Sequence, residues 1–445
     1  MSDALNQLSD LIAKARKSGA DAADAILIES RSESVGVRLG NIEDVERSES
    51  SDLGLRVFIG KRQAIVSSTD LSSPTLDAMV SRAIAMAKLA PEDPYCGLVE
   101  TNLLAHSPFP ALDLADSAAP TTDELLTRAR AAEDAALAVK GITNSEGGGA
   151  SWGFNQVSLA TSHGFAGTYA GTSHSVSVSV LAGTDTAMER DYDYSSTRHL
   201  ADLTDPATVG RSAGERTVRR LNPKKPKSAK VPVVFDPRAS RTLLGHLSSA
   251  INGQAIARGT SFLKDKLNAA IFAPGVAVID DPLLMRGLSS RPFDGEGVVT
   301  RRLAVVEDGV LQSWLLDSAS AKQLKLATTG HARRGTSGPP SPGTSNFYLA
   351  AGKVSPAELM ADIKSGFYVT ELIGMGVNGV TGDYSRGASG FWIENGEISY
   401  PVSELTIASN LLPMFTALIP ANDLEFRYGT DAPTVRIDGM TIAGS

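Results

Sequence analysis

The sequence predicts an α+β protein of two domains. The N-terminal domain is expected to be an antiparallel meander sheet with helices, and the C-terminal domain mainly antiparallel strands with a few helices. Three observations support this fold class. The chain has 445 residues, more than one hydrophobic core usually organises. Alternating apolar and polar runs end at glycine turns in both halves. Several segments between them carry helical periodicity or helix end signals.

The N-terminal domain is assigned to residues 1–222. It opens with an amphipathic helix, and residues 24–68 then read as a series of short strands joined by Gly-Asn and Gly-Lys turns. Two helices follow. The second has a capping box formed by Thr121 and Glu124. Residues 141–194 return to strand patterns before one more helix.

The C-terminal domain is assigned to residues 231–445, after a linker at residues 223–230 that is rich in Pro and Lys. An apolar strand opens it, and a helix follows with Asp236 as N-cap and Pro237 at its first position. Asp-Gly and Asn-Gly pairs between alternating apolar runs further along predict two tight hairpins.

The composition narrows the possible partners and locations. A net charge of −8 argues against the broad basic surface that nucleic acid binding requires. Cys96 is the only cysteine, so no intrachain disulfide can form, which fits a reducing cytoplasm. No stretch approaches the roughly twenty apolar residues of a membrane span. We expect a cytoplasmic protein that binds neither nucleic acid nor membrane.

The string GMGVNG matches the dinucleotide-binding pattern G-x-G-x-x-G at Gly374, Gly376 and Gly379. That site also needs a helix to start at the glycines, so that its amide groups hold the pyrophosphate. The residues that follow do not have a helical pattern. We therefore interpret these glycines as part of a loop.

Hydrolase signatures are weak. No G-x-S-x-G motif occurs, and Ser385 in DYSRG has no evident base. The histidines are not spaced as pairs of helical metal ligands; they are His106, His163, His174, His199, His246 and His331. An independent hydrolase that uses Ser385 or His331 stays open as an alternative.

A polar loop rich in Gly, Ser and Pro begins at Arg333 and is expected to be either a functional lid or a surface excursion. Arg333 and Arg334 have the forked geometry that grips a carboxylate. Together with Ser345 and Asn346 at the end of the loop, they are our candidates for contacts with a substrate or partner.

Strings spread over the whole chain resemble those of the TldD/TldE (PmbA) family of cytoplasmic metallopeptidases. They are GADAADAILIE, DLGLRVFIGKRQAIVSS, VVFDPRAS, GHLSSAINGQAIARGTSF, GTSNFYL and GFWIENGEISYPV. In that family the catalytic TldD-type chain carries H-E-x-x-x-H on the helix after the first strand of the C-terminal domain, and a cysteine near its C-terminus.

The corresponding positions in this chain are Arg241, Thr242 and His246, so only the last histidine is kept. An arginine is permanently cationic, and a threonine cannot act as a carboxylate base. The cysteine near the C-terminus is also missing. The resemblance therefore implies a TldE/PmbA-type subunit that has no catalytic residues and no metal ligands of its own.

By the same resemblance, zinc is expected in a TldD-type partner chain, and the two chains enclose a chamber that cleaves extended or unfolded peptides. Precursors of peptide antibiotics and antitoxin proteins are the implied substrates. The isolated chain is a candidate homodimer. A regulatory protein associated with DNA gyrase modulation is a further alternative.

Overall fold

The computed structural model describes residues 3–444. The helices and strands of the first half are α1 Asp3–Lys17, β1 Ala22–Arg38, β2 Asn41–Ile59, β3 Arg62–Ser68, α2 Ser73–Leu89, α3 Thr122–Leu137, β4 Ile142–Thr161, β5 Ala166–Ala182, β6 Glu189–Thr197 and α4 Pro206–Arg219. Short 3-10 helices lie at Thr101–Leu103, Asp185–Ala187 and Leu200–Asp202.

One antiparallel sheet of six strands, in the order β3-β2-β1-β4-β5-β6, organises this half. Two meanders, β1 to β3 and β4 to β6, are joined by the pairing of β1 with β4. The prediction of short strands was wrong, since β2 has 19 residues and β4 has 20. The first ten residues of β2 are exposed but pair with β1 through the backbone. Side-chain alternation therefore does not mark where this strand ends.

Helices cover the sheet. Helices α1 and α2 bury Leu8, Leu11 and Met79 in a core with the strands β1 and β2. The predicted capping box of Thr121 and Glu124 is confirmed at the start of α3. Helices α3 and α4 pack against each other through small residues.

The second half contains shorter elements. They are β7 Ala229–Phe235, α5 Pro237–Ala250, α6 Gly253–Ala257, β8 Val278–Asp280, β9 Leu303–Glu307, β10 Val310–Leu311, α7 Ser318–Leu324, β11 Ala332–Arg333, β12 Ser341–Pro342, β13 Phe347–Leu349, α8 Pro356–Met360, β14 Ser365–Ile373, β15 Asp383–Glu394, β16 Glu397–Asn410, α9 Leu411–Thr416, β17 Leu418–Pro420, β18 Thr430–Asp431 and β19 Val435–Ala443.

The main sheet of this half has the strand order β16-β15-β14-β7-β19-β17. Strand β16 also pairs with β19, at residues 406–408 and 441–443, which closes five strands into a ring. A second sheet has the order β10-β9-β8-β13-β18, and β11 pairs with β12. Most pairings are antiparallel, but β14 runs parallel to β7 and β13 parallel to β18. The α+β fold class is confirmed.

Both predicted hairpins are present. Asp308 and Gly309 join β9 to β10, and Asn395 and Gly396 join β15 to β16. All four residues have positive φ angles, between 47° and 85°. Two consecutive positive φ angles are the requirement of the tight hairpin turn that Asp-Gly and Asn-Gly favour.

The segment between α4 and β7 covers most of the predicted linker, although its last two residues, 229 and 230, already belong to β7. This segment is docked on the C-terminal half. The Lys224 N–H donates to the Pro401 carbonyl at 2.9 Å, and its ammonium group lies 4.4 Å from the centre of the Tyr400 ring. The division of the chain into two domains at this segment stays a prediction.

Ion pairs join the two halves. Arg238 of α5 contacts Asp191 of β6 at 3.0 Å, and Arg220 contacts Glu371 of β14 at 2.6 Å. No helix within residues 3–444 has the length and apolar character needed to cross a lipid bilayer.

Candidate functional site

Helix α5 carries the degenerate metal motif. Its predicted start is confirmed, since the Asp236 carboxylate accepts the Arg238 N–H at 2.9 Å and Pro237 stands in the first turn. Leu243, Leu244 and Leu247 face the core and fix the rotation of the helix. Arg241, Thr242 and His246 are only partly buried. The helix therefore turns its motif positions away from the apolar core.

The side chains at the first two motif positions, Arg241 and Thr242, make contacts that do not suit a metal ligand. The Arg241 guanidinium lies over the Tyr428 ring, 4.4 Å from its centre, a cation–π contact that keeps a fixed positive charge at this point. The Thr242 hydroxyl donates to the Ala239 carbonyl at 2.6 Å. Neither side chain supplies a metal ligand or a general base.

His246 remains as one possible ligand. Its ring packs edge-on against Tyr384, with centroids 5.9 Å apart, and its Nε2 atom has no hydrogen-bond partner among the described residues. Burial and then the charge of Arg386 hold the pKa of His246 below its ordinary value. A neutral imidazole is the form that binds metals, but Arg386 would repel a cation.

A cavity of about 330 Å³ opens beside His246. Met375, Val377 and Gly379 of the loop between β14 and β15 line it. This loop contains the glycines of the dinucleotide pattern and leads into strand β15 rather than a helix. The interpretation of those glycines as loop residues is thus confirmed.

The residues near helix α5 do not fit a metal ion. Structural and catalytic zinc sites take at least three protein ligands. Within residues 3–444, no group of three or more His, Cys, Asp or Glu side chains is arranged to hold a metal. Cys96 is buried in the N-terminal half.

Arg334, a predicted contact for a substrate or partner, forms an ion pair with a carboxylate of its own chain. Its Nη2 atom lies 2.7 Å from Asp24 Oδ1, and both side chains are buried. The loop that follows packs on the first sheet, because a Cβ atom at Gly54 would lie 2.2 Å from the Thr336 carbonyl oxygen. The loop therefore contacts the N-terminal half, while Gly335, Ser337 and Pro339 are exposed. Arg333 is exposed.

Ser345 and Asn346 are both buried. The Ser345 N–H donates to Asp280 Oδ2 at 2.6 Å, and its hydroxyl donates to the other oxygen of that carboxylate. The Asn346 amide donates to the Asp281 carbonyl and the Ser290 hydroxyl, each at 2.7 Å. These hydrogen bonds hold the end of the loop in place. A role for the two residues in substrate or partner contact stays a prediction.

His331 does not bond to the neighbouring Ser345 hydroxyl. His331 Nε2 lies 3.2 Å from Asp280 Oδ1, the same oxygen that accepts the Ser345 hydroxyl. A catalytic pair needs the hydroxyl bonded to the imidazole, whereas Ser345 and His331 both bond to the carboxylate. The other ring nitrogen of His331, Nδ1, lies 2.9 Å from both the hydroxyl and the carbonyl oxygen of Thr329. That hydroxyl is also bonded to the backbone of Leu316. Ser385 lies on β15, and its hydroxyl has no hydrogen-bond partner among the described residues.

Sequence spacing missed a buried acidic pair near the junction of the halves. Burial and then the neighbouring Asp294 raise the pKa of Glu296 to about 7. Its carboxyl group accepts the N–H and the hydroxyl of Ser318. The letters Asp-Gly-Glu suggest only a turn, so no local signal could have shown this burial.

Two histidines also converge on one acid. His174 Nε2 lies 3.4 Å from Asp116 Oδ2, and His199 Nδ1 lies 3.9 Å from Asp116 Oδ1. The side chains of His174 and Asp116 come from segments nearly sixty residues apart. Their meeting is therefore a product of the fold that the histidine spacing could not indicate.

Comparison with known proteins identifies the family. Family models match residues 23–87, 115–221 and 228–444; they are described as the PmbA/TldA metallopeptidase domain 1, central domain and C-terminal domain. The chain is 40% identical over 426 residues to Metalloprotease PmbA of Escherichia coli O157:H7, which covers 95% of this chain and 92% of that protein. The chain belongs to the PmbA/TldD metallopeptidase family. It is also 37% identical over 434 residues to the Metalloprotease PmbA homolog of Haemophilus influenzae, covering 97% of this chain and 94% of that one.

Solved structures of the PmbA/TldD family share the fold. A protein from Bacteroides thetaiotaomicron, described as a candidate modulator of DNA gyrase, superposes with a TM-score of 0.92 at 27% identity and full coverage of both chains. TldE from Thermococcus kodakarensis gives a TM-score of 0.87 at 22% identity, covering 98% of this chain and all of TldE. The resemblance seen in the sequence strings is thereby confirmed.

Proposed function

We propose that this PmbA/TldD-family chain is a non-catalytic, TldE/PmbA-type subunit of a cytoplasmic metallopeptidase. One observation carries the proposal. At the helix position where a metallopeptidase needs its first ligand, Arg241 is stacked on Tyr428. This arrangement places a permanent positive charge where a metal ion would have to bind.

The remaining motif positions support the same conclusion. A zinc-bound water needs several ligands to hold the ion and a base to accept its proton. Here the Thr242 hydroxyl donates a hydrogen bond to the backbone of its own helix. Burial lowers the pKa of His246, and the positive charge of Arg386 lowers it further. The zinc and the general base therefore come from a TldD-type partner chain, while this chain contributes architecture and substrate guidance.

The substrates of the proposed complex are extended or unfolded peptides, among them precursors of peptide antibiotics and antitoxin proteins. The relatives named Metalloprotease PmbA support a proteolytic setting. In the absence of the partner, the chain is proposed to form homodimers.

A degradation assay tests the proposal. An unfolded polypeptide is incubated with this chain, with a TldD-type chain, and with both, each with and without a metal chelator. We expect cleavage that the chelator abolishes in the mixture and no cleavage by this chain alone. Cleavage by this chain alone, above all if it resists the chelator, would instead support the independent hydrolase.

A double variant provides a control on the degenerate motif. Arg241→His with Thr242→Glu restores two motif letters, but it supplies neither a further ligand nor the surrounding hydrogen bonds that orient ligands. We expect this variant to remain inactive alone. Activity of the double variant alone would show that the rest of the site is intact.

The description of the Bacteroides structure as a candidate modulator of DNA gyrase favours a second candidate function. In that case the chain would bind gyrase directly. A supercoiling assay with purified gyrase tests it: a change in supercoiling rate that depends on the concentration of this chain would support regulation, and an unchanged rate would exclude it.

A further inference from the structure

A second cavity lies where the two halves of the chain meet, and none of its walls belongs to helix α5. Its volume is about 290 Å³. Strands β4 and β5 contribute to its wall, together with residues 288–291, 293–295 and 332–334. The function proposed above does not use this cavity.

Three arginines that line the cavity form no ion pair with a carboxylate of the described residues. They are Arg198, Arg291 and Arg333. Arg198 is held by neutral carbonyl groups, since its guanidinium donates to Thr172 at 3.1 Å, to Gly287 at 3.3 Å and to Leu288. These bonds fix its position and leave its positive charge uncompensated.

Arg291 and Arg333 are less well satisfied. Arg291 is only 7% exposed, its Nε atom has no hydrogen-bond partner among the described residues, and its Nη2 atom is 3.5 Å from the Gly343 carbonyl. Arg333 makes no side-chain hydrogen bond within residues 3–444.

The acidic groups near the cavity are engaged elsewhere. Asp294 is the one carboxyl group on its wall, and it accepts the N–H groups of Glu296, Val298 and Ala332. Burial raises the pKa of Asp294. The fourth arginine of the wall, Arg334, is paired with Asp24. The wall therefore carries more positive than negative charge, which favours an anionic ligand.

Two glycines make room for these guanidinium groups. A Cβ atom at Gly171 would lie 2.9 Å from Arg198 Nη1, and one at Gly343 would lie 2.6 Å from Arg333 Cδ. Such distances are shorter than ordinary van der Waals contact. Side chains at either position would displace an arginine from the cavity.

Apolar side chains form another part of the wall, beside the polar residues Asn155, Ser289 and Ser290. The apolar side chains include Leu114, Val157, Leu159, Leu288 and Phe293. A ligand that matches both surfaces has an oxyanion on an apolar body. Planar guanidinium forks match a carboxylate in particular, because they donate two parallel hydrogen bonds to its oxygens.

We propose that this cavity binds the terminal carboxylate of a peptide whose last residue is apolar. The choice of a peptide rests on the proposed function, whereas the anion site itself rests on the arginines. The carboxylate lies among Arg198, Arg291 and Arg333, and the last side chain packs on the apolar wall. The cavity thus holds one end of an extended peptide at the junction of the two halves.

Binding to the isolated chain tests the proposal. The probe is a short peptide that ends in leucine, labelled at its N-terminus, as the free acid and as the C-terminal amide. Fluorescence anisotropy should show saturable binding of the acid and at least tenfold weaker binding of the amide. Arg333→Ala should weaken binding of the acid roughly 10- to 100-fold, the effect of a charged hydrogen bond.

Matched variants distinguish the loss of an arginine that lines the cavity from the loss of a surface arginine elsewhere. Arg333 and Arg301 are both exposed, but Arg301 does not line the cavity, so Arg301→Ala should bind the acid as the unchanged chain does. Circular dichroism melting curves of both variants should match that of the unchanged chain. Gly343→Ala, which moves Arg333 without removing its charge, should also weaken binding.

Equal binding of acid and amide, or unchanged binding by Arg333→Ala, would overturn the proposal. Binding of inorganic phosphate without binding of the peptide acid would overturn the assignment of a carboxylate ligand. The degradation assay above is independent of this measurement, because it requires the partner chain. Success there with failure here would remove this inference alone.

Discussion

The buried carboxylate of Asp24 links the two halves, and its removal should destabilise the chain strongly. Asp24 is 1% exposed; its oxygens lie 3.0 Å from Arg56 Nε and 2.7 Å from Arg334 Nη2. Asp24→Asn leaves two buried guanidinium groups without this counter-charge. Breaking a buried ion pair by removing one partner typically costs about 3–5 kcal/mol, so we expect a loss of that size in the free energy of unfolding.

Equilibrium unfolding in guanidinium chloride, followed by circular dichroism, measures this loss. The matched control is Asp77→Asn, because Asp77 contacts Lys14 at the same 2.7 Å but on the surface. Exposed pairs contribute little, so the control should lose only a small fraction of the stability that Asp24→Asn loses. Equal losses in the two variants would refute the reasoning that burial makes the Asp24 cluster important.

The same cluster predicts a pH dependence. Burial by itself would raise the pKa of Asp24, but Arg334 and Arg56 outweigh it and hold the pKa below its ordinary value. The folded state therefore favours the ionised form. This stabilisation is complete above the unfolded pKa of about 3.9 and is lost as the pH falls through the folded value. The Asp24→Asn variant should lack this part of the acid-induced loss.

Three further predictions concern other parts of the chain. The folded pKa of Glu296 is raised to about 7, so its contribution to stability is complete below about pH 4.3 and is lost as the pH rises through 7. The loss is at most about 4 kcal/mol. Glu296→Gln should reduce this pH dependence in unfolding experiments at pH 5 and pH 8. A Cβ atom at Gly210 would lie 2.1 Å from the Ala132 carbonyl oxygen, whereas one at Gly245 would meet no atom. Thermal melts should therefore show that Gly210→Ala is destabilised by about 1–3 kcal/mol and that Gly245→Ala is unchanged or more stable. Equal melting temperatures of the two variants would contradict the close packing at Gly210. Limited trypsinolysis should cut first after Lys227, which is exposed in the predicted linker; first cuts inside either half would place the domain boundary elsewhere.

Local features of the chain could be predicted because their causes are local. Asp236 and Pro237 mark the start of helix α5, and the pair Asn395 and Gly396 fixes a hairpin through its positive φ angles. The residue types at the motif positions also indicated that the expected metal ligands are missing, because this depends only on the amino acids at those positions. Each of these signals depends on residues within a few positions of one another.

The remaining features depend on contacts between distant parts of the chain. Arg334 and Asp24 are 310 positions apart, and the prediction that Arg334 contacts a substrate or partner could not foresee that its carboxylate partner is internal. The closure of the ring by β16 and β19 leaves no periodic signature. Lys224 of the predicted linker lies over the ring of Tyr400, far away in the sequence. All three features result from tertiary packing and not from the residues next to them in the sequence.

Metal analysis of the purified chain tests the central claim most directly. The claim is that Arg241, Thr242 and His246 form no metal site. After dialysis in the presence of zinc, elemental analysis should find far less than one zinc per chain, and His246→Ala should give the same content as the unchanged chain. One zinc per chain that is lost in His246→Ala would contradict the account.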